Sequence, residues 1–426
     1  MSALTLYRPT YASEVIAPTS KSAAHRALCA AAFADRPTTL MINTTCEDIV
    51  ATCRCLTALG VKITAQDKCL TVTPIARASV QKGALLDCGE SGSTLRFLLP
   101  ICAALGAEAR FLRRGRLPQR PLSPLWEELE AHGLMLHEEG DLLITQGRIL
   151  AGDYRINAQI SSQYVTGLLL ALSLPDEPST LTLTGNTESA PYIDMTLSAL
   201  AQFGAAPKRT EQTQIYVLEG YRSAPLRSPC TLSVEGDFSG AAFPLALGAV
   251  GTHAVTVRGL SLDSTQGDKE ILTLLTRFGA DVTQKKDTVT VSPAPLTGIT
   301  VDARQIPDLV PVLCVLGAKA SGQTVITGAA RLRLKESDRL TAMHAFISAV
   351  GGDITVTDDG LIINGGKPLT GGVADTCGDH RIAMSAAVAS TFTSAPLTLT
   401  DADCVAKSYP SFFEDVIPIY GERNPL

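Results

Sequence analysis

Glycine returns along this 426-residue chain at nearly constant intervals, at Gly60, Gly133, Gly204, Gly279, Gly351 and Gly421, 70 to 75 residues apart. Each follows a segment with helical apolar spacing, such as Leu56 with Leu59 or Leu275 with Phe278, and five of the six lead into a short alternating strand pattern. A glycine placed there signals a helix C-cap, because the left-handed conformation that ends a helix is one a side chain resists. Apolar helices start in phase with this series near Ser20, Glu90, Ser161, Asp237, Asp308 and Asp379, 70 to 76 residues apart. The chain is therefore a sixfold repeat of large units.

Each unit reads βαβαββ: an apolar helix, a Thr- and Leu-rich strand such as Leu181–Gly185, an amphipathic helix ending at the repeat glycine, then two short strands joined by a polar turn. The last unit reaches its glycine with five residues left, so its strand pair is missing, and the runs Leu4–Tyr7 and Glu14–Ile16 are expected to fill that gap. Segments such as Ala27–Ala34, Phe97–Leu105 and Leu309–Ala318 carry almost no charge. A helix without a polar face is buried on every side, which puts these helices inside and strands around them. The expected fold class is α/β, with six βαβαββ repeats arranged three per domain. The domains are expected at 20–230, and at 1–19 with 231–426, joined by two chain crossings that could act as a hinge.

None of the apolar segments reaches the roughly 20 residues needed to span a bilayer, so no membrane partner is expected. Net charge is −6, which gives no electrostatic case for nucleic acid. The eleven cysteines lack C-x-x-C pairing and read as buried thiols of a cytoplasmic protein, and the N-terminus has no secretory pattern. No P-loop, G-x-G-x-x-G, H-E-x-x-H or G-x-S-x-G occurs, so neither cofactor nor metal is expected.

Chemistry-bearing residues gather at the helix starts. The apolar helices open with Ser20-Lys21-Ser22 and Arg26, Glu90 to Ser93 and Arg96, Ser161-Ser162-Gln163, Asp237, Asp308, and Asp379-His380-Arg381. The amphipathic helices open near Arg120, Ser189 to Tyr192, Lys335-Glu336 with Arg339, and Lys407. Helix N-termini attract anions through free amides and the helix dipole. Taken singly, Ser20, Ser161 and Asp308 can be plain N-caps, and Glu336 can be first-turn dipole chemistry. Arg26 and Arg96 are different, because a charge inside an apolar helix must be paired or reach a cleft. Two domains presenting such ends to each other would enclose a cleft for a small polyanion.

Pro18 to Ser22 with Arg26, Gly89 to Arg96, Arg120-Pro121, Ser161 to Gln163, Pro191 to Asp194, Val234 to Asp237, Pro307-Asp308, Lys335 to Leu340 and Asp379 to Arg381 run in order along nearly the whole chain. Together they resemble the 5-enolpyruvylshikimate-3-phosphate synthases of the enolpyruvyl transferase family. The resemblance implies two inside-out α/β barrel domains. It implies transfer of the enolpyruvyl group of phosphoenolpyruvate to the 5-hydroxyl of shikimate 3-phosphate in aromatic amino-acid biosynthesis, by a cytoplasmic protein expected to be a monomer. It places Lys21, Ser22, Arg26, Ser161, Ser162, Gln163, Ser189, Asp308 and Lys335 on shikimate 3-phosphate. Lys21, Gly92, Arg120, Gln163, Arg339, Arg381 and Lys407 fall on phosphoenolpyruvate. Asp308 becomes the candidate base, Glu336 the candidate acid at carbon, and Lys21 a charge relay.

Glu90 stands where the family usually has Asn, Thr19 where it has Gly, Phe97 where it has Pro, and Arg331 where an Asn often contacts the shikimate phosphate. Two rival readings are a UDP-N-acetylglucosamine enolpyruvyltransferase and a non-catalytic anion binder of the same fold. Against the first, Gly115 to Pro121 lacks that enzyme's reactive Cys. Against the second, a binder of anions gains nothing from Asp308 and Glu336.

Overall fold

A computed structural model describes residues 3–7, 9–210 and 214–417, with twelve helices among them. They are α1 Lys21–Ala31, α2 Glu47–Ala58, α3 Gly92–Leu105, α4 Leu125–Ala131, α5 Ser162–Leu172, α6 Ala190–Gln202, α7 Phe238–Val250, α8 Ile271–Phe278, α9 Val310–Lys319, α10 Arg339–Ala349, α11 His380–Ala389 and α12 Phe412–Asp415. The odd-numbered helices are the apolar ones, and burial follows composition: every residue of α7 is buried, as is α3 from Thr94 to Ala104. The even-numbered helices bury one stripe, as α8 does with Ile271, Leu272, Leu274, Leu275 and Phe278. Five repeat glycines end their helices with φ between 76° and 106°, the conformation their spacing implied. Gly421 lies outside the described residues.

The chain folds as two compact units, an N-terminal one of Lys21–Val234 and a C-terminal one made of the residues before and after it. Each contains three sheets and three odd-numbered helices, with its own hydrophobic core. Within each repeat the apolar helix packs on its own sheet. Strands alternate accordingly: Leu181 and Leu183 face inward from Ser179–Thr184, and Val255 and Val257 from Val255–Arg258.

Five sheets have four strands, in the order first, second, fourth, third of their repeat; the sixth has three. The first pair is parallel around the buried helix and the others are antiparallel, as in Asp153–Asn157 beside Ser179–Thr184, with Leu181 opposite Tyr216. Two expectations are corrected here. Of the N-terminal runs only Leu4–Leu6 completes the sixth sheet, antiparallel with Leu397–Leu399, whereas Glu14–Ile16 pairs parallel with Val255–Arg258 as the first strand of the fourth. Likewise Thr231–Ser233, which the sequence reading put with the C-terminal domain, pairs parallel with Thr39–Met41 as the first strand of the first sheet. Both crossings between units thus come just after the first strand of a sheet in the unit being left, and the buried helix that follows in sequence lies in the other unit.

The C-terminal ends of the buried helices in the N-terminal unit are capped by side chains. Tyr221 Oη donates to Phe33 O at 3.2 Å, Arg148 Nε to Ala104 O at 3.0 Å, and Arg77 to Leu174 O, its guanidinium 3.8 Å from the centroid of the Tyr221 ring. These groups line a cavity of about 630 Å³ and neutralise the negative helix ends. The unspent polar residues therefore lie at the opposite, N-terminal ends.

Helices α3 and α5 approach so closely that a Cβ on Gly167 would lie 2.2 Å from Arg96 O. Gly167→Ala must push the two helices apart, and we expect a loss of about 1–3 kcal/mol, read as a lower urea midpoint. An unchanged midpoint would show that this contact is not tight.

Candidate active site

In the C-terminal unit the starts of α9, α10 and α11 converge on one guanidinium. The 3-10 turn Pro307–Leu309 before α9 carries Asp308, Lys335 to Ser337 precede α10, and Asp379 caps α11 by accepting from Arg381 N at 3.0 Å. Arg339, the first residue of α10, has a side chain only 1% exposed. Its Nη1 donates to Asp308 Oδ1, its Nη2 to Glu336 Oε2 and its Nε to Asp379 Oδ2, each at 2.8 Å. Burial alone would strip such a cation of its proton, but the three carboxylates hold its pKa well above the usual arginine value. Burial would likewise raise Asp379, yet Arg339 and His380 keep it below the ordinary carboxylate range, and Ser337 Oγ donates to it at 3.0 Å.

Asp308 faces three cations. Beyond Arg339 it accepts from Arg381 Nη2 at 3.1 Å, its backbone carbonyl takes Arg381 Nη1 at 3.3 Å, and Lys335 Nζ lies 3.6 Å away. It keeps 17% of its side chain exposed. Lys335 is pushed down to about 8 by burial of its surroundings, with Asp308 pulling the other way, although a quarter of its side chain meets solvent. Lys407 does not open a helix as expected. It ends the 3-10 turn Ala402–Lys407, from which Nζ donates to Gly378 O at 2.9 Å, one residue before the α11 cap.

The sequence reading missed Asp268, which sits in the 3-10 turn Gly267–Glu270 before α8 and is 2% exposed. Ser239 Oγ donates to its Oδ2, while Oδ1 finds no partner among the described residues. Burial, and then the charge of Asp308, push it up to about 7, against the pull of Arg381. The only sequence signal was an acid next to a glycine ahead of an amphipathic helix, which reads as an ordinary first-turn acid.

In the N-terminal unit Lys21, the first residue of α1, pairs with Asp48 at 2.8 Å. His25 lies one turn on and is held neutral, pushed down to about 3 mainly by burial. Its Nδ1 joins a hydrogen-bonded chain through Thr52 (2.7 Å) and Thr94 (2.7 Å) to Ser91, the cap of α3. Arg26 is buried with four internal hydrogen bonds, to Ser22 O, Thr196 Oγ1, Thr166 Oγ1 and Tyr192 O. Burial lowers it to about 10. Ser161 caps α5, accepting from Gln163 N at 3.2 Å, and Ser162 follows it. Ser189 precedes α6 in a left-handed conformation, φ 54°.

Gly92, Arg96, Arg120 and Gln163 form one cluster. A Cβ on Gly92 would lie 2.6 Å from Arg96 Nη1 and 2.8 Å from Arg120 Nη1, so two guanidiniums crowd over it. Gln163 accepts from Arg96 Nη1 at 3.2 Å and donates to Ser93 Oγ at 3.0 Å. Arg120 lies in the loop before α4 rather than in the helix. Among the described residues no group of His, Cys, Asp and Glu is arranged to hold a metal, and no helix is long and apolar enough to cross a membrane.

Comparison with known proteins gives consistent matches. The sequence model of the family described as EPSP synthase (3-phosphoshikimate 1-carboxyvinyltransferase) matches residues 9–416. The 3-phosphoshikimate 1-carboxyvinyltransferase of Clostridium kluyveri is 38% identical over 411 residues, covering 96% of this chain and 95% of that protein. That of Clostridium beijerinckii is 38% identical over 428 residues, covering 97% of each. Among solved structures, EPSP synthase from Acinetobacter baumannii superposes with a TM-score of 0.80 at 27% identity, over 98% of this chain and 99% of that one. The enolpyruvyl transferase NikO from Streptomyces tendae shares the fold, with a TM-score of 0.76 at 19% identity over 99% and 98%.

Asp268 also weighs on stability. An unfolded aspartate titrates near 4, whereas here it titrates at about 7, so the folded state holds the extra proton between those values and stability falls as pH rises through that window. We expect Asp268→Asn to gain on the parent protein by a few kcal/mol as pH rises from about 4 to 7, and to keep that gain above it. Thermal unfolding of both proteins across that range checks it. Parallel curves would place the titration of Asp268 elsewhere.

Proposed function

The chain belongs to the EPSP synthase family of 3-phosphoshikimate 1-carboxyvinyltransferases, and from that premise we propose which of its residues hold the two substrates and move the protons. The reaction transfers the enolpyruvyl group of phosphoenolpyruvate to the 5-hydroxyl of shikimate 3-phosphate and releases phosphate, in the shikimate pathway. The hydroxyl loses its proton as its oxygen bonds to the central carbon of phosphoenolpyruvate. The methylene carbon gains a proton and becomes a methyl group, and the tetrahedral intermediate then expels phosphate as that methyl gives a proton back and the double bond re-forms.

Shikimate 3-phosphate is assigned to Lys21, Ser22, Ser161, Ser162, Gln163 and Ser189 of the N-terminal unit, with Asp308 and Lys335 of the C-terminal unit. Arg26 supports this set chiefly from behind. Four internal hydrogen bonds leave its five N–H groups at most one for a ligand. Phosphoenolpyruvate is assigned to Lys21, Gly92, Arg120 and Gln163, with Arg339, Arg381 and Lys407. Arginine forks suit carboxylate and phosphate oxygens in pairs. An anion reaching Arg339 takes over a donor now held by Glu336 or Asp308 and so frees a carboxylate beside the reacting atoms.

The observation that carries the mechanism is that Asp308 and Glu336 sit 2.8 Å from separate nitrogens of one buried guanidinium, amid Arg381 and Lys335. Carboxylates weaken a cluster that only holds anions, so their work is with protons: Asp308 takes the hydroxyl proton, Glu336 supplies the proton at carbon, and Lys21 relays charge. All eleven cysteines are unpaired, which supports a reducing, cytoplasmic setting.

Phosphate release from phosphoenolpyruvate with shikimate 3-phosphate as acceptor tests the assignment directly. Asp308→Asn should leave shikimate 3-phosphate binding largely intact and lower turnover by roughly 100- to 10,000-fold; turnover within a few fold of the parent would remove Asp308 from proton transfer. Glu336→Gln should slow isotope exchange into the methylene of phosphoenolpyruvate more than it weakens binding, and undiminished exchange would point to another acid. Arg381→Lys and Arg120→Lys keep the charge but lose the fork, and each should cost roughly 2–5 kcal/mol in phosphoenolpyruvate binding or transition-state energy. Near-parental affinity in both would misplace that substrate.

A further inference from the structure

Glu90 is an acid at the edge of a cluster assigned to an anion, and its surroundings give it a task. The loop it faces joins the strand Arg110–Arg113 to α4. Five arginines fall between Arg110 and Arg120, with no Asp or Glu from Ala109 to Trp126. Left to itself, a loop of that charge is driven outward by self-repulsion.

The structure holds the loop at both ends. On the near side Arg114 N donates to Gly89 O at 2.8 Å, and the Arg114 side chain pairs with Asp87 at 3.0 Å. On the far side Pro121 O accepts from Arg96 Nη2 at 3.0 Å and from Tyr164 Oη at 2.5 Å, while Leu117 between them is buried. Between the near anchor and Leu117 lies Gly115, and against it lies Glu90. A Cβ on Gly115 would fall 2.5 Å from the Glu90 carboxyl carbon and 2.8 Å from each of its oxygens. The carboxylate therefore lies flat on the glycine backbone, in space that only a residue without a side chain leaves open. Gly115 is also left-handed, φ 54°, so its identity is doubly constrained. Five residues on is Arg120, with its guanidinium over Gly92.

We propose that Glu90 is a positioning residue for phosphoenolpyruvate: its carboxylate, laid on Gly115, latches the 114–121 loop so that Arg120 stays over Gly92. An acid beside an anion site is then useful, because its charge serves the arginine loop rather than opposing the substrate. The inference rests on the reading of Arg120 as a phosphoenolpyruvate ligand.

The test measures KM for each substrate, kcat, and the rate of tryptic cleavage after Arg114 and Arg116 in Glu90→Ala, Glu90→Gln and Gly115→Ala. Loosening the loop should raise KM for phosphoenolpyruvate about tenfold in Glu90→Ala, since small misplacements of a clamp are costly, and leave KM for shikimate 3-phosphate and kcat within about threefold. Tryptic cleavage should speed up about tenfold, as expected of a freed surface loop. Gly115→Ala, whose methyl evicts the carboxylate with its charge intact, should behave like Glu90→Ala and carries the test alone if that variant does not fold. Glu90→Gln keeps the flat group and should recover part of the loss. In an Arg120→Ala background, Glu90→Ala should raise KM no further. A KM within twofold of the parent with unchanged cleavage overturns the latch, as does a full additional rise in the Arg120→Ala background. If Arg120→Ala alone leaves KM unchanged, the ligand reading falls, and faster cleavage in Glu90→Ala still establishes the latch.

Discussion

A helix with no polar face is stable only where protein surrounds it, and six such helices leave only their ends to meet solvent or ligand. That constraint organises this molecule. In the N-terminal unit the C-terminal ends are spent on capping by Tyr221, Arg148 and Arg77. The N-terminal ends carry Lys21, Gly92 and Ser161 in that unit, and Asp308 and Arg381 in the other. Because each repeat opens its buried helix in the same way, a single local rule produces several anion-friendly ends in each unit.

Electrostatics then specifies the arrangement that packing permits. Arg339 is too deeply buried to remain charged without partners, and its partners are one carboxylate from the start of each of three helices. Together they compensate a buried charge that would cost several kcal/mol if left unpaired. The network therefore fixes α9, α10 and α11 against one another and delivers Asp308 and Glu336 to a common point. In the N-terminal unit a chain of neutral groups from His25 to Ser91 does similar work for α1, α2 and α3 without charge.

Much of this was legible in the sequence. The glycine series announced six units and their helix ends, and the motifs at the helix starts were enough to suggest the family that the comparisons then established. The bringing together of Gly92, Arg120 and Gln163 followed from the resemblance. The destination of the short strands was less legible. Three residues such as Glu14–Ile16 carry too little alternation to name a partner, and Thr231–Ser233 sits next to its own unit's boundary. Asp268 was invisible for a different reason, since an acid before a helix is ordinary until burial removes its water.

The sequence by itself determined the repeat, the helices that must be buried and the residue types at their starts. All three depend on local spacing and on the cost of hydrating apolar faces. Tertiary structure alone decided which strand completes which sheet, that Arg339 is shared among three carboxylates, that Asp268 loses its water, and that Glu90 rests on Gly115. These depend on which distant groups come within a few ångströms of each other, and an interaction that falls off so steeply with distance leaves no periodic trace along the chain.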